Sequence, residues 1–163
     1  MRALRPWVSA ARPATLWASA APVVAGCGLA WGDGVFRADA ALVALASALL
    51  INIGANFAND ASDARRGADG PARIGPTRAV ASGLISARAM WTAVAVAFAL
   101  AAAGGIYLTV LAGWPVLATG AASLVAALAY TGGPRPYGYS GLGEAAGFVC
   151  FGRAAGVGTR GMI

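Results

Sequence analysis

The 163-residue chain contains no lysine and no histidine, and only six of its side chains are acidic. Without histidine there is no imidazole base, and without lysine no Schiff-base amine, so both chemistries are excluded. Charged residues make up 11% of the chain and the mean hydropathy is +0.69. Soluble globular domains carry about a quarter charged residues, so this composition excludes an ordinary water-soluble domain and places the chain in a membrane. The two cysteines, Cys27 and Cys150, lie in apolar segments without a partner at metal-ligand or redox spacing and read as small packing residues. Strand-like alternation is absent too. Because no backbone polar group is left unpaired against lipid, the expected architecture is an all-α, polytopic membrane helical bundle.

What is present are long uncharged runs. Pro13–Gly32 and residues 40–59 carry no charge, and each has the ~20 residues a helix needs to cross the hydrocarbon core. Residues 89–134 are uncharged as well, too long a run for one crossing, and AGGIYL at 103–108 and AGWP at 112–115 offer places to turn. That run is predicted to form two helices, which gives four complete transmembrane helices and a partial fifth. VAGC at 24–27 has the look of a lipoprotein cleavage site, but three further spans follow it and the apolar run continues beyond Cys27.

All twelve cations are arginine, giving a formal charge of +6 and a pI near 10.4. They are grouped by loop rather than along one soluble face, so the excess points to membrane topology and not to a nucleic-acid partner. With the N-terminus cytoplasmic, that side holds Arg2, Arg5, Arg12, Arg65, Arg66, Arg73, Arg78, Arg88 and Arg135, and the other holds Arg37. The chain is therefore expected in the inner membrane, with its N-terminus and acidic loop in the cytoplasm.

Three of the six acids, Asp60, Asp63 and Asp69, fall in NFANDASDARRGAD at 56–69. On a helix continuing past Asn59, the residues Asn52, Asn56, Asn59, Asp60 and Asp63 fall at about 0°, +40°, −20°, +80° and +20°. Such a polar stripe is costly against lipid and is expected to face the bundle interior or a water-filled cavity. Two carboxylates three apart suit Mg²⁺, a hard ion that takes one or two carboxylates and completes its shell with water and substrate phosphate. Downstream, ARIGPTRAVASG at 72–83 supplies Arg73 and Arg78 for charge-assisted contacts to phosphate oxygens. The alternative is a solvated helix end with arginines that only set topology, and Asn52 as an interhelical hydrogen bonder. In the next loop, YTGGPRPYGYSGLGE at 130–144 holds Tyr130, Tyr137 and Tyr139 with Arg135 among glycines and prolines. It reads either as an interfacial aromatic belt or as a lid over a cationic or phosphorylated ligand.

The string N-x-x-N-D-x-x-D-x-x-x-G-x-D at 56–69, then RIGPTRAVASGLIS at 73–86, then the tyrosine loop, resembles the UbiA superfamily of intramembrane aromatic prenyltransferases, and most closely its naphthoate branch. The resemblance runs from about residue 5 to about residue 152. It implies Mg²⁺-dependent transfer of a polyprenyl group from polyprenyl diphosphate to 1,4-dihydroxy-2-naphthoate, with loss of the ring carboxylate, giving demethylmenaquinone. Carried over by position, it implies that Asp60 and Asp63 bind metal with Asp69, that Asn56 and Asn59 complete the motif, and that Arg73 and Arg78 hold diphosphate. Tyr130, Arg135, Tyr137 and Tyr139 join the substrate-binding set, and the lipid bilayer is the remaining partner.

By the same resemblance, members have about nine membrane helices and a second aspartate-rich motif in a later loop. The chain is expected to be a single prenyltransferase-like domain over 1–163, incomplete at its C-terminus, because FGRAAGVGTRGMI places Arg153 where a fifth helix would be apolar. Alone it is expected to bind Mg²⁺ weakly and not to enclose a long prenyl chain. Alternatives are the same fold with a benzoate, homogentisate or tetrapyrrole acceptor, or a non-catalytic membrane subunit, small transporter or remnant. Inverted repeats, which would favour a transporter, are absent from the sequence.

Overall fold

The computed structural model describes residues 4–67 and 78–131. Five helices follow one another: α1 (Arg5–Ala11), α2 (Pro13–Gly32), α3 (Ala38–Arg66), α4 (Ala87–Ala112) and α5 (Trp114–Thr131). Their limits follow from local chemistry. Pro6 and Pro13 sit in the first turns of α1 and α2, where the missing N–H costs nothing. Between these helices Arg12 adopts φ 51°, the one non-glycine residue at positive φ among those described. α3 carries Asp39 in its first turn and Arg65 and Arg66 in its last, so its charges complement the helix dipole, and Gly67 ends it at φ 65°. Ser86 caps α4 by accepting the Ala89 N–H at 3.2 Å.

α3 is the central element and packs against α1, α2, α4 and α5, while α5 also packs on α4. α4 runs antiparallel to α3 and comes close because small residues line the contact. Gly54 of α3 lies under the Phe98 ring, and Gly104 of α4 lies against Ser47 and Val43. One apolar cluster gathers Ala10, Phe57, Ala58, Ala61, Ala79, Ile85, Met90 and Val94 around the C-terminal half of α3. A second joins Val23, Ala40, Ala44, Leu108 and Val116 near its start. Outward-facing residues are large and apolar, with Trp17 at 77% and Val110 at 81% exposure, as lipid contact requires.

α2, α3 and α4 are each long and apolar enough to cross a membrane. The fourth expected crossing, α5, is apolar and has 18 residues, about 27 Å at 1.5 Å per residue, just short of a ~30 Å core. The long uncharged run turns at AGWP, where Gly113 adopts φ 88°, while the other glycine pair, Gly104 and Gly105, stays inside α4. Cys27 packs beside the second apolar cluster, as expected of a small apolar residue. Cys150 and the partial fifth helix lie outside the described residues.

Candidate functional site

The polar stripe of α3 is buried inside the bundle. Asn52, Asn56, Asn59, Asp60, Ser62 and Asp63 are all buried, with Asp60 at 1% and Asp63 at 6% exposure. α3 continues through all of them without a break. The stripe divides into two connected parts.

The inner part ties α3 to the break between α1 and α2. Asn52 Nδ2 donates to Ser19 Oγ at 2.6 Å and to the Thr15 carbonyl at 3.2 Å, and the Thr15 hydroxyl donates to Asn52 Oδ1 at 3.3 Å. One turn on, Asn56 Nδ2 donates to the Ala11 carbonyl, Thr15 Oγ1 and Asn52 Oδ1, each at 3.0 Å. Its two protons thus serve three acceptors. Asn52 is the interhelical hydrogen bonder that its place in an apolar span suggested. Thr15 and Ser19 were not among the expected site residues. Their spacing of four on a helix start was the available signal, since it puts two hydroxyls on one face of an otherwise apolar span.

The outer part joins α3 to the segment before α4. Asp60 Oδ2 accepts the Ala79 N–H at 3.0 Å and Oδ1 accepts the Val80 N–H at 2.9 Å. Beside them, the Arg78 guanidinium pairs with Asp63 Oδ2, both side chains being about nine-tenths buried. Buried carboxylates carry a large desolvation cost unless they are paired and hydrogen-bonded, and both conditions are met here. The segment itself is a closed turn. Ser82 N and Oγ donate to the Arg78 carbonyl at 3.1 and 2.6 Å, and Ile85 N donates to the Ala79 carbonyl at 3.1 Å. Gly83 supplies the left-handed residue at φ 71°.

The structure thus brings Asn59, Asp60, Asp63 and Arg78 together at one end of the bundle, with Asn56 a turn further in and held by Ala11, Thr15 and Asn52. α4 leaves this end and α5 returns towards it, with Tyr130 partly buried in its last described turn. Asp69, Arg73, Arg135, Tyr137 and Tyr139 lie outside the described residues. Among the described residues no three His, Cys, Asp or Glu side chains gather as a metal cage. Mg²⁺ does not need one, because carboxylate and amide oxygens such as those of Asp63 and Asn59 are the hard donors it takes alongside water and phosphate. The donor set fits a magnesium phosphate and has none of the soft ligands of a zinc or copper site.

An apolar helical bundle with buried carboxylates, amides and an arginine at one end is the build of a multi-pass membrane protein. The chain belongs to the UbiA prenyltransferase family, whose profile matches residues 19–160. It is 46% identical over 160 residues to the 1,4-dihydroxy-2-naphthoate octaprenyltransferase of Mycobacterium tuberculosis, covering 98% of this chain and 54% of that protein. The enzyme of the same name from Mycobacterium leprae is 42% identical over 160 residues, covering 98% of this chain and 54% of the relative. That of Escherichia coli is 40% identical over 154 residues, covering 90% and 49%. The chain spans about half the length of the curated relatives it matches. No solved structure matches it significantly.

Proposed function

We propose that this chain forms the diphosphate-binding half of a prenyltransferase that moves a polyprenyl group from polyprenyl diphosphate to 1,4-dihydroxy-2-naphthoate. The names and identities of the relatives support the substrates. The observation that carries the reading is the buried meeting of Asp63 and Arg78 beside Asn59 and Asp60. An isolated helix end would not bury four such side chains. The arginine count supports an inner-membrane location with this end of the bundle in the cytoplasm.

In the reaction, the bond between the allylic carbon and the diphosphate oxygen breaks, and a carbon–carbon bond forms to the naphthalene ring. The ring carboxylate leaves as CO₂, and the product is the reduced form of demethylmenaquinone. Mg²⁺, when bound, supplies positive charge to the departing diphosphate. Asp63, with Asn59 beside it and Asp69 further along the motif, is the group to hold the ion. Arg78 is the donor for phosphate oxygens, its planar guanidinium matching them better than an ammonium would. Arg73 and Arg135 add donors, and Tyr130, Tyr137 and Tyr139 border the acceptor. The apolar packing of Phe57, Met90 and Val94 beside this end keeps it dry, as an allylic cation requires.

The test is prenyl transfer in membranes from cells lacking their own naphthoate prenyltransferase. The chain is supplied alone or with the C-terminal half of the Mycobacterium tuberculosis relative, together with polyprenyl diphosphate, 1,4-dihydroxy-2-naphthoate and Mg²⁺. Product that disappears with Asp63→Ala supports the reading. Product insensitive to Asp63→Ala, or transfer only to a different aromatic acid, refutes it.

A further inference from the structure

We propose that Asp60 is a positioning residue, which clasps the backbone of Ala79 and Val80 and thereby delivers Arg78 to Asp63, and that it is not a metal ligand. The inference rests on the diphosphate reading of this site and divides its two neighbouring carboxylates between two tasks. Three observations carry it.

First, each Asp60 oxygen is already engaged by a backbone N–H, at 3.0 and 2.9 Å, from two successive residues. This is how a carboxylate caps the exposed N–H groups at the start of a helical turn, and it fixes both the position and the direction of that turn. Second, Asp60 is 1% exposed and Ala79 is likewise 1% exposed. Ala79 packs in the same apolar cluster as Ile85 and Met90, so the clasp is sealed on its outer side. A cation that keeps several waters fits poorly in such a place. Third, the clasped residues immediately follow Arg78, whose carbonyl is held in turn by Ser82 at 2.6 Å. Moving the 79–80 backbone therefore moves the root of the Arg78 side chain. Asp63, three residues on, meets the Arg78 guanidinium. Its partner is a side chain that can swing to a phosphate, and this separates its role from that of Asp60.

The full chain, reconstituted in phosphatidylcholine vesicles, carries a nitroxide at Ala81→Cys, an exposed position in the turn, in a Cys27→Ala, Cys150→Ala background. Electron paramagnetic resonance reads the mobility of the label and the binding of Mn²⁺ as a stand-in for Mg²⁺, and titration with inorganic pyrophosphate reads the anion site. In the parent the label is immobilised. Asp60→Asn is expected to mobilise it and to weaken pyrophosphate about tenfold through the displaced Arg78, with Mn²⁺ affinity kept within about twofold. Asp63→Asn is expected to leave the label immobile and to weaken Mn²⁺ at least about tenfold, as loss of a direct carboxylate ligand should.

Replacing the Ala79–Val80 amide by an ester removes one clasping N–H without altering any carboxylate. It is expected to reproduce the Asp60→Asn label and pyrophosphate results, and it serves where Asp60→Asn does not fold. A label that stays immobile in both variants overturns the proposal, as does a Mn²⁺ loss in Asp60→Asn equal to that in Asp63→Asn. If the parent binds neither Mn²⁺ nor pyrophosphate, the diphosphate reading fails, while the label, which needs no ligand, still decides whether Asp60 holds the turn.

Discussion

Replacing Asn56 by alanine removes a side chain that bonds at once to α1, α2 and its own helix. Three acceptors at 3.0 Å lose their donor: the Ala11 carbonyl, Thr15 Oγ1 and Asn52 Oδ1. The Thr15 hydroxyl has other partners in Asn52 and the Arg12 carbonyl, and the Asn52 oxygen keeps the Thr15 donor, so the Ala11 carbonyl carries most of the loss. An unsatisfied buried acceptor costs about 1–3 kcal/mol. The same carbonyl precedes Arg12, held at φ 51°, a conformation that costs ~1 kcal/mol with or without Asn56 and persists only where the surroundings enforce it. Loss of Asn56 should therefore destabilise the fold by about 1–3 kcal/mol, or about 2–12 °C in melting temperature at 2–4 °C per kcal/mol for a chain of this size. Thermal unfolding of the purified chain in nanodiscs measures it. Adding Arg12→Gly should recover part of the loss in the Asn56→Ala background, since glycine adopts that φ without strain. A melting temperature unchanged to within a degree in Asn56→Ala, or no recovery by Arg12→Gly, would refute the argument that Asn56 fixes the break between α1 and α2.

Gly104→Ala should cost about 1–3 kcal/mol by overpacking, because the new methyl would overlap Ser47 Oγ and lie 3.2 Å from Val43 Cγ1. Gly105→Ala, with nothing within 4 Å, should be neutral or stabilising by up to ~1 kcal/mol, and the same melting assay compares the two. Ser86→Ala removes the α4 cap and should cost about 1 kcal/mol, with Ser86→Asp recovering it. Arg78→Lys keeps the charge but not the planar fork. In membranes that support transfer it should raise the KM for polyprenyl diphosphate about tenfold, since the bidentate geometry is lost, with the KM for the naphthoate unchanged.

Much of this arrangement was legible because it depends on local rules. α2 begins and ends at Pro13–Gly32, where the charge-free run is bounded by arginine and aspartate. The helix through the acidic motif continued to Arg66, since nothing between Asn59 and Gly67 breaks it and its amides and carboxylates point inward. The choice between two glycine-containing turns in the long uncharged run was not local. Gly104 allows close approach to Ser47, whereas Gly113 needs a φ of 88° that only glycine adopts readily. α1 gave little signal, being seven residues long. It is held by Asn56 and by the edge-on contact of Trp7 with Phe57 at 5.6 Å. The Asp60 clasp was invisible for a plainer reason. Its partners are backbone N–H groups nineteen and twenty residues away, and an N–H looks the same in every sequence.

The position of the site along α3 follows from the kind of ligand proposed for it. A polyprenyl diphosphate has a head of several negative charges and a tail as apolar as lipid. The head therefore needs paired charges near the membrane surface, and the tail needs an apolar channel leading inward. α3 supplies the polar end: its last turns hold Asn59, Asp60 and Asp63 with Arg78 opposite, while its middle packs closely through Ile53, Gly54 and Phe57 against α4. Asn52 and Asn56 lie beside that middle stretch on another face of α3, where they are bound to α1 and α2 and not open to a ligand. Opening the close-packed contact at Phe57 by Phe57→Ala should change the preferred prenyl chain length and leave inorganic pyrophosphate binding intact. Arg78→Ala should do the reverse, weakening pyrophosphate without altering chain-length preference. If each variant moved both quantities equally, head and tail would not be recognised separately along α3, and the placement of the diphosphate at its C-terminal end would be wrong.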